Sequence, residues 1–327
     1  MDEVMLKRVE LSPEWYARRK GYDPKFLGRR VDLPTLSRER VEDTVFLKDG
    51  SGHELKYTHF SVVMSKSQKL ALFTAVNIDG RRIEDLPRDR DVWYFDPRIE
   101  RKDQMDPKVY KHPQLDRGHL VRRLDPVWGK SAKKANEETF HFTNCSPQHS
   151  KLNQRTWLDL ENYILSNAKV HDLKVTVFTG PVFRDNDKVY LHKFAIPAEF
   201  WKVVIVRKTD RTLSATAYLQ SQRDLISGVK AFGYGEYKTY QVPVADIERL
   251  TGLDFGKLRE RDPLSRFKRF PRAVIPNPWA ASSMTRISLP ASLRISSTSS
   301  AMPKRWQTTM ALVSGCCRRV FRNASIS

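Results

Sequence analysis

The sequence predicts an α+β fold in which a largely antiparallel central sheet is flanked by helices. Several short runs have the apolar, β-branched and aromatic composition of strands, and one longer segment carries apolar residues at helical spacing. With 327 residues and 40% hydrophobic residues, the chain can bury one large core or two modest ones. Its length and composition are therefore those of a globular enzyme.

The predicted strands lie on both sides of the predicted helix. A polar turn at residues 65–69 separates the first two runs, which predicts a hairpin. The predicted strands, in chain order, are residues 59–64, 70–76, 174–179, 200–206 and 213–219. The helix is expected over residues 153–168. Its apolar residues recur at intervals of three to five positions, at Leu152, Trp157, Leu160 and Ile164.

The composition divides the chain into three parts. Residues 1–55 are charged and rich in turn-forming residues, which predicts an arm that lies over the main body. Residues 56–265 contain the predicted strands and helix and form the expected main domain. Residues 266–327 form a basic, Ser-rich tail, which from residue 271 onward has eight Lys or Arg and no Asp or Glu. We predict that this tail is disordered, and a shifted reading frame is the alternative explanation of its composition.

The formal net charge of +20 favours an anionic partner such as nucleic acid or acidic lipid. The first residues contain no apolar signal region, and no run approaches the roughly 18 apolar residues of a membrane span. We therefore expect no secretory signal, no membrane partner and a cytoplasmic location, with export by another route left open. Three cysteines, one isolated and two adjacent, cannot form a disulfide framework, so a reducing compartment is expected.

The most informative pattern is an Asp-Arg-Gly-His motif at residues 116–119, which is followed by Asn144, Asn153 and Glu161. A histidine can take a proton from water at neutral pH. An asparagine oxygen and a carboxylate suit a hard cation, and arginines neutralise a phosphate. The first two residues of the motif can also form an ion pair with each other. Together these residues are the parts of a one-metal phosphodiesterase.

The same residues have simpler explanations when each is taken alone. His119 could be a structural histidine at a turn, and Gly118 could allow either a close approach of the backbone to a substrate or an unusual dihedral angle. Asn144 could be a turn residue, a support for the His119 loop, or a support for metal-bound waters. Asn153 could be a helix N-cap and Glu161 a solvated helix charge. The ordered combination favours the functional interpretation.

Asn153 and Glu161 lie eight residues apart, which in a straight α-helix gives a rise of about 12 Å and an angular offset of roughly 80°. Both can line one cleft, but they cannot easily touch one small ion. Mg²⁺ usually keeps several waters, so direct binding by Asn153 with Glu161 holding a metal-bound water fits this spacing. His112, His141 and His149 lack the paired spacing of a zinc site.

This ordered set of motifs resembles the DNA/RNA non-specific endonuclease family, the sugar-non-specific nucleases with a ββα-metal active site of the His-Me finger type. The resemblance is carried by residues 116–119, Asn144 and residues 153–161, and residues 179–183 look like the family's strand and turn. It extends from about residue 57 to residue 250.

The resemblance implies that His119 is the general base and that Asn153 is the protein ligand of a single Mg²⁺, for which Mn²⁺ could substitute. It places Glu161 on the metal-bound waters and Asn144 in the polar network of the site.

It further implies that Asp116 and Arg117 shape the motif loop, with Arg117 near the substrate. A family arginine that stabilises the transition state falls near Arg90, and a one-residue offset against Trp93 leaves Arg88 as the alternative.

The activity implied by the resemblance is cleavage of DNA and RNA to 5′-phosphate and 3′-hydroxyl ends with little base preference, which agrees with affinity that comes from phosphate contacts. An inhibitor protein that protects the host's nucleic acid is a further expected partner. The alternative is a non-catalytic nucleic-acid-binding protein with a decayed site. A peptidase is disfavoured because the chain has no Gly-x-Ser-x-Gly or His-Glu-x-x-His motif.

Overall fold

The computed structural model describes residues 11–88, 91–226, 239–266 and 273–274. The strands are β1 (Thr35–Leu36), β2 (Leu55–Lys56), β3 (Phe60–Met64), β4 (Ala71–Asp79), β5 (Leu115–His119), β6 (Cys145–His149), β7 (Lys174–Val182), β8 (Lys188–Tyr190), β9 (Phe194–Ile196), β10 (Glu199–Arg207), β11 (Leu213–Ser221), β12 (Thr239–Val242), β13 (Leu253–Asp254) and β14 (Ala273–Val274). The α-helices are α1 (Arg38–Glu42), α2 (Ala132–Glu138), α3 (Leu158–Val170), α4 (Arg223–Ile226) and α5 (Val244–Thr251), and a π-helix spans Leu152–Trp157. Short 3₁₀ segments occur at Pro13–Tyr16, Gly80–Arg82, Arg101–Asp103, Pro107–Lys111, Gly129–Ser131, Phe142–Asn144, Gly256–Arg261 and Pro263–Arg266.

An antiparallel sheet of eight strands organises the fold, in the order β14-β12-β11-β10-β7-β4-β3-β2. Every strand pair in it is antiparallel. The five strands predicted from sequence are all present, and β3 and β4 pair as the expected hairpin. The α+β prediction with a largely antiparallel central sheet is therefore confirmed.

Both faces of the sheet are buried. Successive side chains of a strand point to opposite faces, so each strand contributes to two core clusters. On β10, Trp201 and Val203 belong to one core cluster and Phe200 belongs to the other. The first cluster is completed by the N-terminal segment and by α5. The second is completed by α3 and by the segment that follows β5. Burial on both faces explains why these strands are apolar almost throughout.

The N-terminal segment contributes to these cores although it is charged overall. Tyr16, Tyr22 and Phe26 are buried against the sheet, and β1 pairs with β13. The hydroxyl of Tyr16 lies 2.5 Å from Nε2 of His141, whose Nδ1 lies 2.9 Å from a backbone carbonyl. Because both ring nitrogens of His141 have partners, this histidine is not available to a zinc site.

Past residue 265, the predicted domain boundary, β14 adds a short edge strand to the sheet. The remainder of the predicted tail lies outside the described residues. In the part of the chain that the structure describes, no helix has both the length and the apolarity needed to cross a membrane.

The helix predicted over residues 153–168 is present but begins as a π-helix rather than an α-helix. Leu152 and Trp157 are both buried and lie five residues apart, which is the spacing of a π turn. Leu160 and Ile164 then continue at α-helical spacing. The wider first turn therefore keeps all four apolar side chains on the core side.

Candidate active site

A hairpin and the helix after it form a ββα unit on one face of the sheet. Strands β5 and β6 pair antiparallel, and the π-helix and α3 follow directly. The sequence patterns did not predict β5 and β6 as strands. They consist of Leu-Asp-Arg-Gly-His and Cys-Ser-Pro-Gln-His, which lack the apolar β-branched residues that strand patterns require. Polar residues of the site motifs stand at the positions where a strand pattern would have apolar ones.

The alternation along β5 separates the four motif residues. Asp116 and Arg117 are successive residues and point to opposite faces of the hairpin. Asp116 accepts hydrogen bonds from Asn153 and Gln154, and among the described residues it forms no ion pair with Arg117. The proposed Asp116–Arg117 pair is therefore wrong, because the strand geometry holds the two side chains apart.

The imidazole of His119 lies in an aromatic pocket. Its ring centroid is 4.9 Å from that of Trp93 and 5.1 Å from that of Phe140. Burial lowers the pKa of His119 to about 3, and among the nearby charges Asp91 raises this pKa whereas Arg88 and Arg123 lower it. Its Nε2 is buried and has no hydrogen-bond partner among the described residues. A neutral imidazole can accept a proton from a water molecule that reaches one of its ring nitrogens.

Asn144 fixes the backbone immediately after His119. Its Oδ1 accepts a hydrogen bond from the amide of Val121 at 2.9 Å, and its Nδ2 donates to the carbonyls of Val121 and Thr139, both at 3.0 Å. The amide of Leu120 donates to the backbone carbonyl of Asn144 at 2.9 Å. Of the alternatives that the sequence left open, this geometry favours support of the His119 loop.

Asn153 is oriented by Asp116. Its Nδ2 donates to Oδ2 of Asp116 at 2.9 Å, so the amide turns its Oδ1 away from that carboxylate. The residue lies inside the π-helix, whose N-cap position is Lys151, and the helix N-cap explanation of Asn153 is therefore wrong. A carbonyl oxygen held in this way can act as a ligand to a hard cation.

Glu161 is not a solvated helix charge, because only 6% of it is exposed. Its Oε1 lies 3.1 Å from Nζ of Lys202, and its Oε2 lies 4.0 Å from Nε of Arg122. Because a π turn rotates less per residue than an α turn, the π-helix reduces the angular offset expected between Asn153 and Glu161. The two residues therefore face more nearly the same side than a straight α-helix would allow.

Lys202 is the site residue that the sequence patterns missed. It is only 1% exposed, and its Nζ lies 3.3 Å from the carbonyl of Leu120, 3.2 Å from Oγ1 of Thr179 and 4.4 Å from the centre of the Trp157 ring. The available signal was a lysine in the middle of an apolar strand, which requires a buried partner. Lys202 thus links Glu161 to the backbone next to His119.

A second buried carboxylate lies in the same charge cluster. Burial raises the pKa of Asp125 to about 7; among the nearby charges, Lys202 and Arg122 lower this pKa and Glu161 raises it. Lys202 therefore acts electrostatically on two acidic side chains. Near neutral pH, Asp125 is close to the midpoint of its titration, which limits the negative charge in this part of the interior.

The arginines that were predicted to act on phosphate have different surroundings. Arg117 is exposed, and its guanidinium lies 5.5 to 5.9 Å from the ring centres of Tyr110, Trp93 and Phe142. Arg88 is paired with Asp91, and the charges of both act on the His119 imidazole. Arg90, the first choice for the transition-state arginine, lies outside the described residues.

The side-chain oxygens of the candidate site fit a magnesium ion that has few protein ligands. Asn153 presents an oriented amide oxygen. Asp116 is the carboxylate that accepts its hydrogen bond, and Glu161 is a carboxylate on the helix that follows. Among the described residues there is no group of three or more His, Cys, Asp or Glu that could hold an ion. The donor set therefore suits an ion that keeps several waters, as Mg²⁺ does, rather than zinc.

Gly118 is required because the side chain of Gln148 packs against its backbone, and it has no unusual dihedral angle. A Cβ at this position would lie 2.0 Å from Oε1 and 2.5 Å from Cγ of Gln148, a fully buried residue of β6. We expect Gly118→Ala to lower the free energy of unfolding by about 1–3 kcal/mol, since overpacking displaces the β6 side chain.

Chemical denaturation measures this effect, and the double variant G118A/Q148A serves as its control. Truncating Gln148 removes the atoms that the new methyl group meets. The double variant should therefore be no less stable than Gln148→Ala alone. An equal loss of stability from Gly118→Ala in both backgrounds would contradict the clash.

Comparisons with known proteins place the chain in a family. A sequence model of the family described as DNA/RNA non-specific endonuclease matches residues 38–262. An uncharacterised protein, y4fB, of Sinorhizobium fredii is 39% identical over 259 residues, which cover 73% of this chain and 39% of that protein. Mitochondrial endonuclease G of Bos taurus is 29% identical over 157 residues, which cover 45% of this chain and 49% of that protein.

Nuclease C1 of Cunninghamella echinulata var. echinulata is 26% identical over 215 residues, covering 62% of this chain and 81% of that protein. The chain spans half or less of the length of y4fB and of the bovine endonuclease G. The match to the family begins within the predicted N-terminal arm and ends close to the predicted domain boundary at residue 265.

Proposed function

The chain belongs to the DNA/RNA non-specific endonuclease family, and from this membership we propose that it is a Mg²⁺-dependent endonuclease that hydrolyses phosphodiester bonds of DNA and RNA. The observation that carries the proposal is the joint placement of His119, Asn144, Asn153 and Asp116 in one ββα unit. The formal net charge of +20 supports a polyanionic substrate, whose phosphates are recognised without regard to sequence.

In the proposed reaction, His119 takes a proton from a water molecule as the water oxygen forms a bond to phosphorus. The bond between phosphorus and the 3′ oxygen breaks, and that oxygen leaves and takes up a proton, which yields 5′-phosphate and 3′-hydroxyl ends. The pKa of about 3 keeps the imidazole neutral at pH 7, and a bound phosphate raises this pKa because it stabilises the imidazolium.

The other residues prepare the site for this step. Asn144 and Lys202 hold the backbone after His119, so that the imidazole keeps one position. Asn153 would hold the metal ion directly, with Asp116 fixing its amide and Glu161 on the metal-bound waters. When bound there, Mg²⁺ supplies positive charge that offsets the charge developing on the phosphoryl and leaving oxygens. Mn²⁺, which also accepts oxygen ligands, is expected to substitute.

Replacing Asn153 by alanine tests the metal assignment. We expect Asn153→Ala to raise the Mg²⁺ concentration at half-maximal activity by about tenfold or more, because it removes the direct ligand. The measurement is the cleavage rate of plasmid DNA over a Mg²⁺ titration, together with Mg²⁺ binding measured by calorimetry.

The matched control is Gln154→Ala. Gln154 also donates to Asp116, at 3.0 Å, but it is exposed and has no proposed contact with the metal. The control should keep the Mg²⁺ requirement of the unmodified protein. If Asn153→Ala leaves the titration and the calorimetric affinity unchanged, Asn153 is not a ligand.

A further inference from the structure

Arg123 connects the loop after His119 to the segment that carries the candidate transition-state arginine. Its Nη1 donates to the carbonyls of Leu86 at 3.2 Å and Pro87 at 3.5 Å, and its Nη2 donates to Leu86 at 3.3 Å. Nη1 also lies 3.0 Å from Oδ1 of Asn136. One guanidinium thus bridges α2 and the two residues that precede Arg88.

The same segment is also held by an ion pair between Lys169 and Asp85, at 2.6 Å, and by backbone hydrogen bonds at both of its ends. The amide of Glu84 donates to the carbonyl of Val127 at 3.0 Å, and the amide of Tyr94 donates to the carbonyl of Phe140 at 2.9 Å. Between these backbone bonds, Arg123 makes the side-chain contacts that hold Leu86 and Pro87. The segment before Arg88 is therefore fixed to the loop that follows His119.

The charges in this region converge on His119. Arg88 and Arg123 lower the pKa of the imidazole and Asp91 raises it, so all three side chains lie within electrostatic range of the ring. Arg88 donates from Nε to Oδ1 of Asp91 at 3.1 Å. Among the described residues, Arg88 thus has an exposed side chain within electrostatic range of the imidazole, whereas Nη1 and Nη2 of Arg123 donate to protein acceptors.

We propose that Arg123 is a positioning residue, which fixes the segment at Leu86 and Pro87 so that the arginine following it is presented to the phosphate beside His119. This inference rests on the proposed nuclease function and deepens it. The reason for arginine at this position is geometric: a guanidinium offers several donors in a rigid fork, whereas a lysine ammonium cannot reach the same three acceptors.

The test separates positioning from direct contact with phosphate. If Arg123 acts through geometry, Arg123→Lys and Arg123→Ala should both lower kcat by about 10- to 100-fold and leave KM for plasmid DNA nearly unchanged. If instead its charge binds phosphate, Arg123→Lys should retain most of the activity, which would overturn the proposal. Arg249→Ala, which removes an exposed arginine paired with Asp246, is the matched control and should have no effect.

A double-mutant cycle identifies the residue through which Arg123 acts. Arg88→Ala and Arg90→Ala are each combined with Arg123→Ala. The loss from Arg123→Ala should largely disappear in the background that lacks the phosphate-binding arginine, because residues that act as a unit are not additive. Full additivity in both backgrounds would contradict the proposal.

Hydrogen exchange gives a result that does not depend on catalysis. Amides between residues 84 and 94 should exchange about tenfold faster or more in Arg123→Ala and Arg123→Lys than in the unmodified protein, with α5 unchanged as the internal reference. Unchanged exchange at 84–94 would reject the positioning role. If the unmodified protein does not cleave nucleic acid but the two Arg123 variants show this faster exchange, the proposed function is rejected and the positioning role of Arg123 is kept.

Discussion

Replacing His119 by alanine is expected to lower the rate of phosphodiester cleavage by about 100- to 10,000-fold, since proton transfer by a positioned base contributes a factor of that size. The imidazole is half-buried between Trp93 and Phe140, and its Nε2 has no partner among the described residues. The affinity for DNA should change little, because the base acts only as the transition state forms.

The measurement compares single-turnover cleavage with DNA binding by fluorescence anisotropy, at one fixed salt concentration. His171→Ala is the control, because His171 is exposed and follows the far end of α3. Equal losses of binding and rate in His119→Ala would mean that His119 supports the structure of the site rather than the chemistry.

The acid side of the pH–rate profile gives a second readout of the same residue. Burial lowers the pKa of His119 to about 3, so the imidazole of the free enzyme remains neutral well below the ordinary value of about 6.5. The profile of kcat/KM should therefore show no histidine step near pH 6.5.

Replacing Lys202 by methionine is expected to lower the free energy of unfolding by about 3–5 kcal/mol, since it removes the nearest positive charge from the buried Glu161 and leaves only Arg122, 4.0 Å from its Oε2. For a domain of this size, that corresponds to a drop in Tm of roughly 6 to 20 °C. The carbonyl of Leu120 also loses a donor, so kcat should fall with the loss of stability.

Two variants isolate the ion pair from other effects of Lys202→Met. Lys208→Met removes an exposed lysine that follows β10 and lies 3.9 Å from Asp210, and it should change stability by about 0–1 kcal/mol. The double variant K202M/E161Q should recover part of the lost stability because residue 161 no longer carries a buried negative charge. A Tm for Lys202→Met equal to that of Lys208→Met would show that the buried pair does not stabilise the fold.

The five consecutive central strands of the large sheet, β3, β4, β7, β10 and β11, could be predicted from sequence because both faces of the sheet are buried, whereas the short strands β2, β12 and β14 at its two edges were not predicted. Each strand is then a nearly continuous apolar run, as in β7 and β10. The strands of the site could not, because β5 and β6 carry polar motif residues, a glycine and a proline where apolar residues are expected. Only the resemblance to a family indicated the ββα arrangement.

The sequence patterns also did not predict the π-helix or the contacts between distant parts of the chain. Leu152 and Trp157 gave the five-residue spacing of the π turn, but a single interval of that length does not distinguish a π-helix from an irregular α-helix. Arg123 is an ordinary charged residue in sequence, and its role depends on carbonyls 36 and 37 positions away. Tyr16 lies beside Trp15 in a charged segment, and nothing in the sequence indicates that Tyr16 is buried.

The proposed activity is tested most directly by digesting supercoiled plasmid and total RNA with the purified protein, in the presence of Mg²⁺ or of EDTA. We predict that both nucleic acids are cleaved with Mg²⁺, that neither is cleaved with EDTA, and that the DNA products carry 5′-phosphate ends. Tight binding of DNA without cleavage, in Mg²⁺ and in Mn²⁺, would contradict the account and favour a nucleic-acid-binding protein with a decayed site.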